Sequence, residues 1–169
     1  MGAPPLYTAS VPVFLHYLDR LEGMVGKTAG REHLLQARLA PDMFTAGQQV
    51  ATAAGFALRI AFPLAGRAIP AAADHGLDRI GLGRRIVAAR QELRALDPAE
   101  FAGAESRIIA HRAGFAELEQ PGGDFLHLFG MPNLLFHAAM AFAVLRKEGA
   151  AVGKADFDGL HDYPEGFRF

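Results

Sequence analysis

The side chains most able to do chemistry are an amide and an imidazole, Asn133 and His137, near the start of the last predicted helix. Residues four positions apart lie on one face of a helix, on neighbouring turns. The rest of this face is apolar, with Met140, Ala141 and Val144, so both polar side chains are expected to point into a core. Because a neutral imidazole can bind a metal ion or transfer a proton near neutral pH, His137 is the strongest candidate for a functional group.

Both residues also have ordinary structural interpretations. A histidine on an apolar face can be a core residue that hydrogen-bonds to an aspartate or a carbonyl. Asn133 follows Pro132 at the predicted helix start, where asparagine commonly caps a helix. The sequence contains neither HExxH nor HxxxH, no glycine-rich phosphate loop and no GxSxG nucleophile elbow. The residues alone therefore indicate a site without defining its reaction.

Asp42 is the second candidate, because the Pro41-Asp42 pair marks the predicted start of helix two. Facing inward, its carboxylate would orient His137 for general-base work or bind a cation. Facing outward, it would be a first-turn acid that stabilises the positive end of the helix dipole. Gln49 lies seven residues later on the same face, where it is either a member of a polar network or exposed.

Hydrophobic periodicity predicts four long helices to position these groups. Asp78 is the expected N-cap of the third helix, and Asp97-Pro98 ends it. The expected spans are Leu6–Thr28, Pro41–Gly66, Asp78–Asp97 and Pro132–Glu148. Between residues 105 and 119 the pattern changes to that of a short β-hairpin. The predicted fold is mainly α, a four-helix bundle with this hairpin between helices three and four, as a single domain over residues 1–169.

Composition narrows the possible partners. Lys and Arg number 17 against 18 Asp and Glu, for a net charge of −1, and there is no cysteine. The balanced charge argues against nucleic-acid binding, and the missing thiols exclude disulfides and thiolate metal sites. No signal peptide is recognised, and no apolar run approaches the roughly 18 residues of a membrane helix. A cytoplasmic protein with no membrane or nucleic-acid partner is expected.

Seven sequence blocks form a combination that is shared with a known family. In chain order, they are Leu6-Tyr7, Leu18–Leu21, Ala37–Met43, Leu82 with Arg85-Ile86, Pro132–His137, Ala141–Arg146 and Val152–Phe157. Together they resemble one family in the DinB/YfiT-like superfamily, the domain-of-unknown-function family nineteen-ninety-three. The resemblance covers nearly the whole chain. It implies a DinB-like bundle and commonly a homodimer.

Many proteins of that superfamily have three metal-binding histidines, two of them as HxxxH on the last helix. By resemblance, that pair falls on Asn133 and His137, so an amide replaces the first histidine, and Asp42 stands near the position of the third. Amide oxygen is a poor ligand for Zn²⁺ or Ni²⁺ compared with imidazole. Gly55 also departs from the pattern, because an acidic residue is expected there.

Two functions follow as hypotheses. In the first, the protein is an enzyme or small-molecule binder in which His137 and Asp42 are catalytic, and His137, Asp42 and Asn133 hold a divalent metal ion. Thiol-dependent transfer or detoxification is implied only by analogy of fold. In the second, it is a non-catalytic stress-related or interaction protein, whose polar core network fixes the helix register and whose outer face dimerises.

Overall fold

The computed structural model describes residues 2–164, 166 and 167, and its four long helices form the expected bundle. The helices are α1 (Pro5–Thr8), α2 (Val11–Gly26), α3 (Ala46–Leu64), α4 (Arg79–Arg94), α5 (Gly122–Asp124), α6 (Met131–Lys147) and α7 (Lys154–Asp158), and the strands are β1 (Ile108–Ala113) and β2 (Ala116–Pro121). Helix α3 packs against both α6 and α4, and α2 packs against α4. The fold is mainly α with one small antiparallel hairpin, as predicted. Met1, Glu165, Arg168 and Phe169 of the predicted 1–169 domain lie outside the described residues.

The first predicted helix is divided into α1 and α2. Pro12 lies in the first turn of α2, where a proline is tolerated, whereas further inside a helix its ring would clash with the preceding turn. Ser10 at the junction is buried, and its hydroxyl donates to the carbonyl of Leu6 at 2.5 Å. The break therefore leaves intact the apolar face of α2, on which Phe14, Leu18, Leu21 and Val25 are buried.

Helix α3 begins at Ala46, so the prediction that it opens at Pro41-Asp42 is wrong. Thr45 and Gln48 form a capping box, in which Thr45 Oγ1 accepts from the Gln48 amide at 3.1 Å and Gln48 Oε1 accepts from the Thr45 amide at 2.8 Å. These two reciprocal bonds satisfy backbone groups that a helix start otherwise leaves free. Asp42 consequently lies in an exposed turn ahead of the helix.

The third helix and the hairpin form as predicted. Asp78 caps α4 by accepting from the Gly81 amide at 2.7 Å. Strands β1 and β2 pair antiparallel, from Ile108 opposite Pro121 to Ala113 opposite Ala116. At the base of the hairpin, Arg107 donates from one guanidinium nitrogen to the carbonyl of Leu64 at the end of α3. This contact ties the hairpin to the bundle.

The last long helix is longer than predicted, because α5, a π-helical turn at Phe125–Gly130 and α6 form one continuous segment. Pro132 explains the wide turn, since it lacks an N–H and its ring would clash with the carbonyl four residues earlier in α geometry. By length and composition the segment Gly122–Lys147 could cross a membrane, with a mean hydropathy of 1.7 in its most apolar window, of which 33% is buried. The core helix of a bundle meets the same test.

Few polar side chains enter the core. Among the described residues, the buried polar side chains are Ser10, Thr28, Thr45 and Gln49. The first three bond to backbone groups close in sequence. Gln49 differs, because its partner comes from another helix, and this pair is the starting point for the functional site.

Candidate functional site

His137 on α6 is paired with Gln49 on α3. Nδ1 of the imidazole lies 2.6 Å from Oε1 of the glutamine, and Gln49 is only 2% exposed. An amide oxygen only accepts hydrogen bonds, so Nδ1 carries the proton and donates it. In the neutral ring the lone pair is then on Nε2, which has no hydrogen-bond partner among the described residues and is not buried. The pair therefore presents a basic nitrogen at the edge of the core.

Aromatic rings surround this imidazole. Phe44 and Phe56 stack on it with ring centroids 6.1 and 5.5 Å away, each tilted by 20° from its plane. The neighbouring Phe136 meets it edge-on at 5.2 Å. These contacts restrict the ring orientation that the hydrogen bond to Gln49 selects. Apolar rings therefore contact the imidazole itself, and a molecule that binds beside it would meet aromatic side chains.

The charge state of His137 follows from its position. Burial disfavours the charged ring and holds its pKa below the ordinary value of 6.5, and the positive charge of Arg59 lowers the pKa further. The Arg59 guanidinium itself lies over the ring of Phe56, 4.5 Å from its centroid. His137 is therefore neutral at physiological pH, and its Nε2 is available to accept a proton.

The other two predicted site residues occupy different places. Asn133 does not cap the helix start: its amide nitrogen donates to the carbonyl of Phe129 at 2.6 Å, inside the continuous segment. That bond satisfies a carbonyl of the π turn. Asp42 is exposed, and within the described part of the chain it forms no hydrogen bond or ion pair with His137. The structure thus brings Gln49, and not Asp42, to the imidazole.

Both the sequence and the fold of this chain are similar to those of known proteins. The model of a family described as Domain of unknown function (DUF1993) matches residues 6–158. This chain belongs to the DUF1993 family. A crystal structure of a DinB family member protein from Shewanella denitrificans superimposes with a TM-score of 0.82 and 29% sequence identity, covering 94% of each chain. The search of curated proteins found no match.

The donor atoms of this DUF1993 domain do not fit a transition-metal site. Across the described residues, no group of three or more His, Asp or Glu side chains is placed to hold a metal ion. Near His137, the amide side chains of Gln49 on α3 and Asn133 on α6 both already form hydrogen bonds, and the nearby guanidinium of Arg59 is a cation that does not bind metal ions. One imidazole with two amides is a weak donor set for Zn²⁺ or Ni²⁺.

The hairpin carries a second histidine–glutamine pair, which was not among the predicted site residues. On the hairpin of this DUF1993 domain, His111 Nε2 lies 2.7 Å from Gln120 Oε1, and its ring packs on Phe129 with centroids 4.2 Å apart. His111 faces Leu118 in the register, so Gln120 is its diagonal neighbour on the same face. That relation would have been visible once the hairpin register was assigned. Phe129 also contacts Phe56 at 5.9 Å, which links the two pairs through one aromatic cluster.

Proposed function

We propose that this DUF1993 domain binds a small organic molecule beside His137, and that Nε2 of the neutral imidazole accepts a hydrogen bond or a proton from it. The observation that carries the proposal is the 2.6 Å hydrogen bond from Nδ1 to Gln49, which fixes the tautomer. A positioned neutral imidazole is the usual general base near neutral pH. Gln49 is then a positioning residue, since it acts only through the ring.

An enzyme of this kind would use His137 as its base and would need no transition metal. The reason is that the side chains near His137 that could donate to a metal ion are amides, whereas a site that binds a transition metal tightly would have imidazoles there. Asp42 has no part in the proposed step because it does not contact the ring. Asn133 contributes by holding the π turn through the carbonyl of Phe129, which sets where α6 begins.

The proposal is tested with a proton donor that suits an apolar site. 4-Fluorophenol is expected to shift the ¹⁵N resonance of His137 Nε2, because its hydroxyl can donate to the lone pair. Long-range ¹H–¹⁵N spectra report the tautomer of the free ring and the change on titration. 4-Fluoroanisole, which has the same ring but no O–H, is the matched control and is expected to leave Nε2 unaffected. Equal shifts from both probes, or a free ring protonated on Nε2, would contradict the proposal.

The pH dependence of stability is expected to differ between the wild type and His137→Gln. Because the folded-state pKa of His137 lies below 6.5, the unfolded chain binds a proton more readily and acid favours unfolding. This destabilising effect is absent above about pH 6.5 and grows as the pH falls toward the folded-state pKa. Urea unfolding at about pH 7.5 and about pH 5 should show a smaller loss in the variant. A variant that loses as much stability as the wild type would disprove the assignment.

The alternative function is structural, and the same pair supports it. Gln49 is almost fully buried, and a hydrogen bond between α3 and α6 selects one register of the two helices. In this case the protein would be a non-catalytic stress-related or interaction protein. The two functions predict different results when the imidazole is removed. If the wild type binds the probe and the variant stays folded but no longer binds it, the first function is supported. If the wild type does not bind the probe and the variant fails to fold, the second is supported.

We further propose that the domain forms a homodimer through the outer face of the segment Gly122–Lys147. Leu128 and Phe136 on this face are 70% and 51% exposed, whereas Leu134, Ala138 and Ala141 are buried in the bundle. The buried residues support a helix that packs in a bundle rather than in a membrane, and exposed apolar side chains commonly mark an interface. The balanced charge supports a protein that does not bind nucleic acid, and the lack of cysteine fits a cytoplasmic protein.

The double variant Leu128→Asp with Phe136→Asp is expected to convert the dimer to a monomer. Two carboxylates would lose their water on association, which costs more than the apolar contact contributes. Light scattering coupled to size-exclusion chromatography in detergent-free buffer gives the mass directly. Asp substitution of the exposed Ile80 on α4 is the control and should leave the mass unchanged. A monomeric wild type would disprove this interface.

A further inference from the structure

A cavity of about 540 Å³ lies between α3, α4 and the loop that joins them. Its walls are mostly apolar, and the loop closes one side. The apolar lining includes Ala54, Gly55 and Leu58 of α3, Ile69 of the loop, and Ala88 and Ala89 of α4. A volume of this size is in the range of natural small-molecule sites, which combine apolar walls with a few polar groups.

Two arginines supply the polar groups. Arg59 and Arg85 line the cavity from α3 and α4, and neither forms an ion pair with another described residue. Nε of Arg85 is buried and has no hydrogen-bond partner. Buried polar groups are nearly always satisfied by the protein, by water or by a ligand. The buried Nε of Arg85 is therefore a donor for which the fold itself provides no acceptor.

The net charge of the residues that line the cavity indicates which charged group a ligand would carry. The exposed Glu92 is the acidic residue that lines the cavity, so two guanidinium groups and one carboxylate give a formal charge of +1 with His75 uncharged. A guanidinium pairs with a carboxylate through two parallel N–H donors. We propose that this cavity binds a monocarboxylate with an apolar body, its carboxylate on Arg85 and Arg59 and its body against the α3 and α4 walls.

Gly55 makes room for the apolar body. A Cβ built on this glycine meets no atom within 4 Å, so the glycine leaves open space on the cavity wall. The loop opposite has no backbone–backbone hydrogen bond from residue 68 to residue 77 within the described structure. Such a wall can adjust to molecules of different length without breaking secondary structure.

This inference does not depend on the role of His137. Arg59 is shared, since it lies over Phe56, which also stacks on the imidazole, but Arg85 and Gly55 belong to the cavity alone. Variants at Arg85 therefore test the cavity, whereas variants at His137 test the proposed function. The two can fail separately.

The first test measures octanoate binding by isothermal titration calorimetry to the wild type and to Arg85→Gln. We expect the wild type to bind octanoate, and Arg85→Gln to bind it at least about tenfold more weakly because a charged hydrogen bond is lost. Octylamine, with the same chain and the opposite charge, should not bind. Octyl phosphate should bind more weakly than octanoate, since the cavity offers one net positive charge. Equal affinity of the wild type and Arg85→Gln, or tighter binding of octyl phosphate, would overturn the assignment.

The second test fills the cavity without touching its charge. Gly55→Leu places a side chain in the open space and should abolish octanoate binding while the protein remains folded, because leucine also favours the helix. Gly23→Leu is the matched control, since a Cβ there also meets no atom within 4 Å and Gly23 lies on α2, away from the cavity. Far-UV circular dichroism verifies the fold of each variant. Octanoate binding that survives Gly55→Leu, or that Gly23→Leu removes equally, would overturn the proposal.

Discussion

Gly122→Ala is expected to lower the free energy of unfolding by about 3 kcal/mol, among the larger effects of a single substitution. A Cβ at this position would lie 2.0 Å from the carbonyl oxygen of Ala104 and 3.1 Å from Leu64 Cδ2. The obstructing atom is backbone and cannot rotate away. The neighbouring chain is also held, because the Gly122 amide donates to the Arg107 carbonyl at 2.9 Å. Relief of the clash would have to move the hairpin away from the bundle.

Gly83→Ala is the control for this substitution. Gly83 lies inside α4, and an added Cβ there meets no atom within 4 Å. We expect this variant to gain about 0.5–1 kcal/mol, because alanine loses less backbone entropy than glycine in a helix. Urea unfolding followed by far-UV circular dichroism measures both changes. If Gly122→Ala cost less than about 1 kcal/mol, the close approach of Gly122 to Ala104 would be incorrect.

Gln49→Leu is expected to cost about 2 kcal/mol, since it leaves the Nδ1–H of His137 without its acceptor in a partly buried site. His137→Phe leaves the Gln49 amide unpaired in the core and should cost a similar amount. The double variant removes both partners, so its loss should be smaller than the sum of the single losses by at least about 1 kcal/mol. Additive losses would mean that the two side chains do not interact.

The same variants separate the two proposed functions. Gln49→Leu keeps the imidazole but removes the hydrogen bond that selects its tautomer. Binding of 4-fluorophenol should therefore weaken while the fold persists. If the pair is only structural, the wild type itself should show no response to the probe, and the variants should change only the stability of the fold. An exposed glutamine on α4, Gln91, changed to leucine should alter stability by less than about 0.5 kcal/mol. That control separates loss of the pair from a general effect of removing a polar group.

Much of the architecture was predictable because local signals agreed with tertiary packing. The Asp78 cap followed from residue type, and the hairpin followed from the change in period. In the structure the hairpin turn contains Gly114, whose φ of +61° suits a glycine. The start of α3 was not predictable in the same way. Pro41-Asp42 is a valid helix opening, yet the capping box of Thr45 and Gln48 satisfies two backbone groups where Asp42 would satisfy one.

Only one residue of the His137–Gln49 pair was predictable from the sequence. His137 was identified from its place on an apolar face, and its inward hydrogen bond agrees with that prediction. The expected partner was Asp42, on the condition that its carboxylate faces inward and orients the imidazole. The helix start four residues beyond Asp42 leaves that carboxylate outside the bundle, while Gln49 lies one turn inside it. Which of two polar residues on one face becomes buried depends on that boundary, which periodicity does not define.

Strand β2 is connected to α6 through α5 and the π turn at Phe125–Gly130. The number of residues in this continuous segment therefore sets the orientation of the hairpin relative to α6. Each residue of an α-helix adds about 100° of rotation. Deletion of one residue from this turn would therefore rotate Gly122 by about that angle relative to α6, away from the Ala104 carbonyl that it now meets. His111 and Gln120 would move with the strands, and their aromatic contact with Phe129 would be lost. A single-residue deletion here would thus rotate the whole β1–β2 hairpin relative to α6, whereas the same deletion in a surface loop would only shorten the loop.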